Sequence, residues 1–321
     1  MGNIFYFCPD FSPPSAGTKR LYRHVFHLNR LGFKAFIVHY KKEFVLSWHG
    51  CKVPVKWLED NLLFSVDDTL IFPEGLPSLM KQTQHLNCNR IAIALNWAYI
   101  FNSLPKGGNW KDYGITRAIT PSPIIKDFLE LSMGVDVTLI DNYIDTSKFA
   151  YKPEKKKNKI VYLTRKDSSG DILSFIFKRK EGVFKKWEWM PLDDLSEDNY
   201  AEQLSESRIF LATSSREGMP TSALEAMASG CVVLGYSGIG GNDYMRGKGD
   251  KQNCSLIENG NLPELAKTLE EGLLGWNQNK HRNELIIKNA LKTAKQFQSF
   301  DKEGRCLKNY FESLTIKQNN S

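Results

Sequence analysis

The sequence predicts an α/β protein made of two Rossmann-like halves with parallel sheets. Three observations carry this. Short apolar runs alternate with stretches of helical periodicity, the pattern of parallel strands covered by helices on both faces. The chain has 321 residues, enough for two domains of roughly 150 residues each. A polar, lysine-rich stretch at 152–159, KPEKKKNK, interrupts the alternation, and the same alternation restarts behind it, as expected of an interdomain linker.

The elements follow in order. NIFYFC (3–8) is the first strand, and PDFSPPSAG is a turn-rich loop behind it. A helical pattern runs from about Thr18 to Leu31, and Gly32 stops it, because glycine accepts the left-handed backbone that ends a helix. Further strands are FKAFIVHY (33–40), TLIFPE (69–74), RIAIALNW (90–97), RAITPS (117–122) and DVTLIDN (136–142), with a helix from Pro123 to Ser132 between the last two. These make a first domain over 1–150. KIVYLT (159–164), WEWMPL (187–192), RIFLATS (208–214) and CVVLGY (231–236) are the strands of a second domain over 151–295. A long helical pattern from about 281 to 315 breaks near Phe300. Ligands of open α/β sheets bind at the carboxyl ends of the strands, so a ligand bridging a cleft between the halves is expected.

Composition excludes several classes. Hydrophobic residues at 41% and charged residues at 25% describe an ordinary globular protein. No apolar run reaches the roughly 20 residues that span a bilayer. MGNIFYFCPD has no charged region ahead of an apolar stretch, and no Ser or Thr at position 6, so neither a signal peptide nor a myristoylation site is expected. A cytoplasmic location follows as the expectation. The six cysteines are scattered without a C-x-x-C pair, which argues against zinc and against a disulfide framework. Cys8 and Cys231 lie in strand-like runs and are expected to be buried. The net charge of +7 is spread over both halves. Two basic clusters, 152–159 and KRKEGVFKK (178–186), are read either as solvated loops or as contacts for anionic lipid at the inner face of a membrane or for a charged acceptor. No nucleic-acid motif accompanies them, so no nucleic-acid partner is expected. His24 and His27 stand three apart on the first helix with no third ligand in view, which favours packing over metal. DSSGD (167–171) is no nucleophile elbow, and no Ser-His-Asp set is visible.

The most informative stretch is SREGMPTSALEAMASG (215–230). It follows the strand RIFLATS. SREGMP is the turn at the carboxyl end of that strand, and TSALEAMAS is rich in strong helix formers, with Gly230 as the stop. The free amide groups of the helix start, near Met219 to Ser222, together with the helix dipole, make a site for phosphate oxygens. Glu217 lies in the loop and Glu225 in the first helical turn. Ser222-x-x-Glu225 also matches a capping box, and a carboxylate at 225 could equally accept hydrogen bonds from vicinal ribose hydroxyls. A carboxylate at 217 could stay in solvent, or could accept sugar hydroxyls and offset positive charge at an anomeric carbon.

EGMPTSALEAMASGCVVLGYSGIGGNDY (217–244) resembles the signature of family 4 retaining glycosyltransferases: two glutamates separated by seven residues, Glu-Ala-Met-Ala, a strand, and a glycine-rich loop ending in an acid. NYIDTSKF (142–149), ITPSPIIKDFL (119–129) and FSPPSAGTKRLYRHVFHLNRLGFKAFIV (11–38) extend the resemblance over most of the chain. It implies the GT-B fold, two Rossmann-like domains facing a central cleft, with a last helix over 296–321 crossing back onto the first domain.

The resemblance also implies roles. Glu225 would hold the ribose of a nucleotide-sugar donor, and Glu217 the donor-sugar hydroxyls. Arg165 and Lys166 of YLTRKDSSG (162–170) would hold the diphosphate. Glu217, Arg165 and Lys166 are thus the candidate catalytic groups. Gly17, Asn96, Leu224, Gly240 and Gly241 join residues 218–222 and Glu225 as the candidate donor-binding set. For Gly17 a plain turn, and for Asn96 a structural role beside Trp97, remain open. Lys19 and Arg20 either contact the acceptor or face solvent, and Glu74 either shapes a turn or lines the cleft. Four positions depart from the family pattern. Gly170 stands where a diphosphate lysine is usual, Tyr143 where a glycine is, Asp243 where glutamate is commoner, and Ala16-Gly17 where a double glycine is. The implied activity is retaining sugar transfer from a nucleotide-diphosphate donor to a glycan or lipid-linked acceptor, with no metal and no cofactor. An epimerase or phosphorylase on the same fold, or a non-catalytic partner subunit, are the alternatives.

Overall fold

The computed structural model describes residues 2–318, with side chains described to residue 314. Met1 and residues 319–321, at the outer ends of the expected domains 1–150 and 296–321, lie outside the described residues. The chain forms two compact units, Met1–Asn142 with Phe300–Ser321, and Tyr143–Ser299.

The first unit contains β1 (Ile4–Phe7), α1 (Ala16–Arg30), β2 (Ala35–His39), β3 (Val55–Trp57), β4 (Thr69–Pro73), α2 (Pro77–Gln82), β5 (Asn89–Ile93), β6 (Arg117–Thr120), α3 (Pro123–Met133) and β7 (Asp136–Leu139). All seven strands are parallel, in the order β3-β2-β1-β4-β5-β6-β7. β1 shows why its sequence is uninterruptedly apolar. Ile4 and Tyr6 face the layer holding Leu21, Val25 and Leu28 of α1, whereas Phe5 and Phe7 face the layer holding Ile125 and Leu129 of α3. A strand buried on both faces has no solvent side to keep polar.

The second unit contains β8 (Lys157–Tyr162), α4 (Ser169–Lys178), β9 (Glu188–Pro191), α5 (Glu197–Glu206), β10 (Ser207–Ala212), α6 (Thr221–Ala228), β11 (Val232–Tyr236), β12 (Ser255–Ile257), α7 (Leu262–Leu274) and α8 (Lys280–Lys295). Its five parallel strands run β12-β11-β10-β8-β9. α9 (Phe300–Gln318) then returns to the first unit, where Leu307, Phe311 and Leu314 join the α1 core layer.

α9 is fixed there by charge as well. Glu303 is fully buried, with Arg23 Nε at 2.5 Å and Nη2 at 2.8 Å, His27 Nε2 at 3.1 Å and His24 Nε2 at 3.7 Å. Burial alone would raise the Glu303 pKa, but Arg23, His27 and His24 together hold it well below the usual carboxylate range. Burial in turn lowers His24 to about 3, so it is neutral at physiological pH. The two histidines are packing residues, and no group of three metal-binding side chains occurs among the described residues.

The structure corrects several expectations. The passage between units is at Asn142–Tyr143 rather than at 150, because Ile144 and Phe149 are buried in the core of the second unit. Residues 296–299 also stay with that unit, and the last helix begins at Phe300 rather than 296. β3 and β12 went unread in the sequence. Each is three residues long and lies at a sheet edge, where a strand lacks the continuous apolar run. β5 ends at Ile93, four residues early, since Leu95 and Asn96 give their amides to the Glu74 carboxylate instead of a neighbouring strand.

The lysine stretch at 152–159 is not a free linker. Lys156 donates to Leu204 O and Ser207 O and contacts Cys231 Sγ, and the buried Lys159 pairs with Glu206 and Glu188. The second cluster, at 178–186, stays exposed beside the outward Ile172, Phe175 and Ile176 of α4. Cys8 and Cys231 are buried. Among the described residues no helix is long and apolar enough to cross a membrane.

Candidate active site

In the second unit the chain builds β8 and β9 outward, then returns to the other side of β8 for β10. The strand order therefore reverses between β8 and β10, and the loops leaving their carboxyl ends diverge from one crevice. That is where open α/β sheets bind ligands. The loop after β8 carries Arg165 and Lys166; the loop after β10 carries Glu217.

The β8 loop is pinned by Asp193, which follows β9. Its carboxylate accepts Thr164 N at 2.8 Å, Thr164 Oγ1 at 2.8 Å and Arg165 N at 3.2 Å. Lys166 Nζ reaches across the crevice and donates to both oxygens of Glu217, at 2.8 and 2.7 Å. Gly170 explains the missing family lysine. A Cβ at this position would lie 2.1 Å from Cδ2 of the Tyr162 ring, so no side chain fits there. Lys166 is the lysine that stands at the crevice.

The Glu217 loop is held by the glycine-rich turn that follows β11. Glu217 N donates to Gly238 O at 2.8 Å, and Gly240 N donates to Glu217 O at 3.0 Å. The backbones meet so closely that a Cβ on Gly240 would lie 1.8 Å from Gly218 O. Only glycine permits this approach. Gly241 abuts Met245 and Pro220, and Asp243 closes the short helical turn Gly240–Asp243. Between the glycines, Ile239 is held at φ 76° and ψ −59°, a strained region for a β-branched residue.

α6 begins at Thr221 with Pro220 as its N-cap and no side-chain cap hydrogen bond. Ser222 therefore lies inside the helix, and the capping box with Glu225 does not form. Glu225 opens the second turn rather than lying in the first. Thr221, Ala223, Leu224, Ala226, Met227 and Ala228 are buried, so Ser222 and Glu225, three apart on one face, are the side chains α6 shows to the outside. Leu224 is fully buried in the core with Val233, which removes its side chain from the donor-binding set. Gly218, Met219 and Pro220 are buried too.

In the first unit, Gly17 is the second residue of α1, and the Leu95 side chain lies 3.4 Å from where its Cβ would be. Asn96, next in sequence, is buried and accepts from Ala98 N at 2.9 Å as the cap of a short helical turn. Burial raises the Glu74 carboxyl to about 7, against the amides of Leu95 and Asn96. Arg20 is buried and donates to Asn142 Oδ1, so it does not face solvent. This set belongs to the first unit, and Arg165, Lys166, Glu217 and Glu225 belong to the second.

Residues 192–292, which contain the Glu217 loop and α6, match the family model described as glycosyl transferases group 1. The chain is 27% identical over 243 residues, 73% of its length and 72% of the relative's, to an alpha-1,6-glucosyltransferase of Actinobacillus pleuropneumoniae serotype 7 (strain AP76). Among solved structures it resembles a sucrose-phosphate synthase from Thermosynechococcus elongatus, with a TM-score of 0.76 and 9% identity over 99% of this chain and 100% of that one. It also resembles the Anabaena protein HepE in complex with UDP-glucose, with a TM-score of 0.64 and 11% identity over 98% and 100%. These matches support a glycosyltransferase of the GT-B fold.

Three residues around this site were not found from the sequence. Asp193 is one. Tyr244 donates to Pro220 O at 2.7 Å and so fixes the start of α6. Tyr200 of α5 is half-buried, and burial, then the Glu225 carboxylate, raises its pKa well above the usual value, with Arg165 acting in the opposite sense. No local spacing signals any of the three, because each acts across strands or helices far apart in the sequence.

Proposed function

We propose that this protein is a retaining glycosyltransferase that moves a sugar from a nucleotide-diphosphate donor to a glycan or lipid-linked acceptor without a metal. The observation that carries the reading is the contact of Lys166 with Glu217 at the strand-order reversal of the second unit, with Arg165 beside Lys166 in the same loop and Glu225 on α6, the helix that follows the Glu217 loop. Two cations in a loop facing the one that leads into α6 suit a leaving diphosphate. Glu217 accepts sugar hydroxyls, and Glu225, held on the open face of α6, accepts the ribose hydroxyls.

The bond from the anomeric carbon to the diphosphate oxygen breaks, and the acceptor oxygen bonds to the same face. The acceptor proton passes to the departing phosphate oxygen, so no protein base is assigned. The likeness to an alpha-1,6-glucosyltransferase and to a chain solved with UDP-glucose makes UDP-glucose the first donor to try. Peripheral contact with an anionic membrane belongs to the reading as well. It rests on Ile172, Phe175 and Ile176 beside the basic cluster at 178–186, and vesicle co-sedimentation indifferent to anionic lipid content would remove it.

The test is thermal shift against nucleoside diphosphates and nucleotide sugars, with and without chelator. A ligand that binds only the folded state raises its apparent stability. A chelator-insensitive shift with one base, larger with one sugar attached, is the expected result. No shift with any nucleotide would refute the donor site.

A further inference from the structure

We propose that Lys166 is a counter-ion exchanged between Glu217 and the donor diphosphate, so that the site engages its donor in order, diphosphate first and sugar second. The inference rests on the donor-site reading above and adds the coupling between two of its groups.

The geometry begins with the ammonium. Lys166 Nζ has three donor positions, and two of them go to the two oxygens of Glu217, at 2.8 and 2.7 Å. The two Glu217 oxygens, those a sugar hydroxyl would need, are therefore engaged by a cation. The pair is only partly buried, with 31% of the Lys166 side chain and 17% of the Glu217 side chain exposed. A partly exposed pair of this kind is screened by water and weak enough to be exchanged.

Both backbones are pinned, so the exchange lies in the side chains. Asp193 fixes the chain at Thr164 and Arg165, immediately before Lys166. Gly238 O and Gly240 N fix Glu217. A diphosphate offers the ammonium more charge and more acceptor oxygens than one carboxylate does. Once Lys166 turns to it, the Glu217 oxygens are released to accept hydroxyls. After transfer, a departing nucleoside diphosphate returns Lys166 to Glu217, and re-forming the pair favours release.

A double-mutant cycle on diphosphate affinity tests this. The full chain and its Lys166→Met, Glu217→Gln and double variants are titrated with UDP, ADP and GDP by calorimetry, with folding checked by circular dichroism. If the pair is exchanged, Lys166 must first leave Glu217 in the wild type but not in Glu217→Gln. The loss of affinity on Lys166→Met is therefore about three- to fivefold larger in the Glu217→Gln background than in the wild type. Direct repulsion between Glu217 and the diphosphate contributes equally to both arms and cancels. Additive effects, or a smaller loss in the Glu217→Gln background, would overturn the exchange; the second result would make Glu217 a holder of Lys166 in its binding position. Glu217→Ser serves in the same cycle if the glutamine variant does not fold. A wild type that binds none of the three diphosphates overturns the donor-site reading and the exchange together, whereas binding with additivity overturns the exchange alone.

Discussion

Two carboxylates in this protein are each gripped by a basic side chain, and they do opposite work. Glu303 in the first unit has no exposed surface and is ringed by Arg23, His24 and His27. Glu217 in the second unit meets Lys166 at the edge of a crevice with part of both side chains open. Burial separates the two. In low dielectric an ion pair cannot be parted without leaving an uncompensated charge, so it behaves as architecture. At a half-open edge, water and ligands compete for both partners, and the pair behaves as a reversible contact.

The largest expected effect breaks this comparison on the buried side. Glu303→Gln leaves Arg23 buried without its counter-charge and is expected to cost about 3–5 kcal/mol. Glu217→Gln is expected to cost less than about 1 kcal/mol. Calorimetric unfolding of both variants at pH 7 measures the contrast, and equal costs would remove the distinction. The pH dependence has a definite sign. The Glu303 pKa is depressed in the folded chain, so its stabilisation is present above the unfolded carboxylate value of about 4.5 and is lost as the pH falls below it. The gap between wild type and Glu303→Gln should accordingly narrow in acid.

The two regions also differ in how far the sequence shows them. The Glu217 loop, α6 and the glycine turn are contiguous in the chain, so their spacing is visible as a pattern. The central strands are visible too, since burial on both faces makes each an unbroken apolar run. The Glu303 cluster is not visible. It joins α1 to a helix about 280 positions away, and an isolated glutamate in a terminal helix reads as solvated. The capping box at Ser222 and Glu225 was a local pattern that the actual helix start, at Thr221, makes impossible. Gly170 looked like a loss from the family pattern, yet the Tyr162 ring requires it. Sequence reasoning reads a pattern contained within one loop and misses packing that joins distant segments.

A middle-sized effect sharpens the account of the open side. Asp193 holds the β8 loop through three donors but is not itself placed to touch a ligand. Asp193→Ala should loosen Arg165 and Lys166, raising KM for the donor about tenfold with the acceptor KM unchanged, a loss of about 1.4 kcal/mol. Steady-state kinetics with each substrate varied in turn checks it. A change in kcat alone would place Asp193 elsewhere in the mechanism.

The smallest effect concerns strain, the one term on which the open side carries a cost. Ile239 adopts φ 76° between two glycines of the turn that grips the Glu217 backbone, and 39% of it is exposed. A β-branched residue there stores roughly 1–3 kcal/mol. Ile239→Gly relieves that strain, but it gives up about 1 kcal/mol of side-chain burial and adds about 1 kcal/mol of chain entropy to the unfolded state. The balance is a gain of up to about 1 kcal/mol, seen as a rise of roughly 2–4 °C in the melting of the second unit. The same substitution loosens the turn, so donor affinity should fall even as stability rises. Opposite signs in those two measurements would show that the turn spends stability to hold Glu217 in place. A destabilised variant would mean instead that the isoleucine side chain contributes more by packing than its backbone costs.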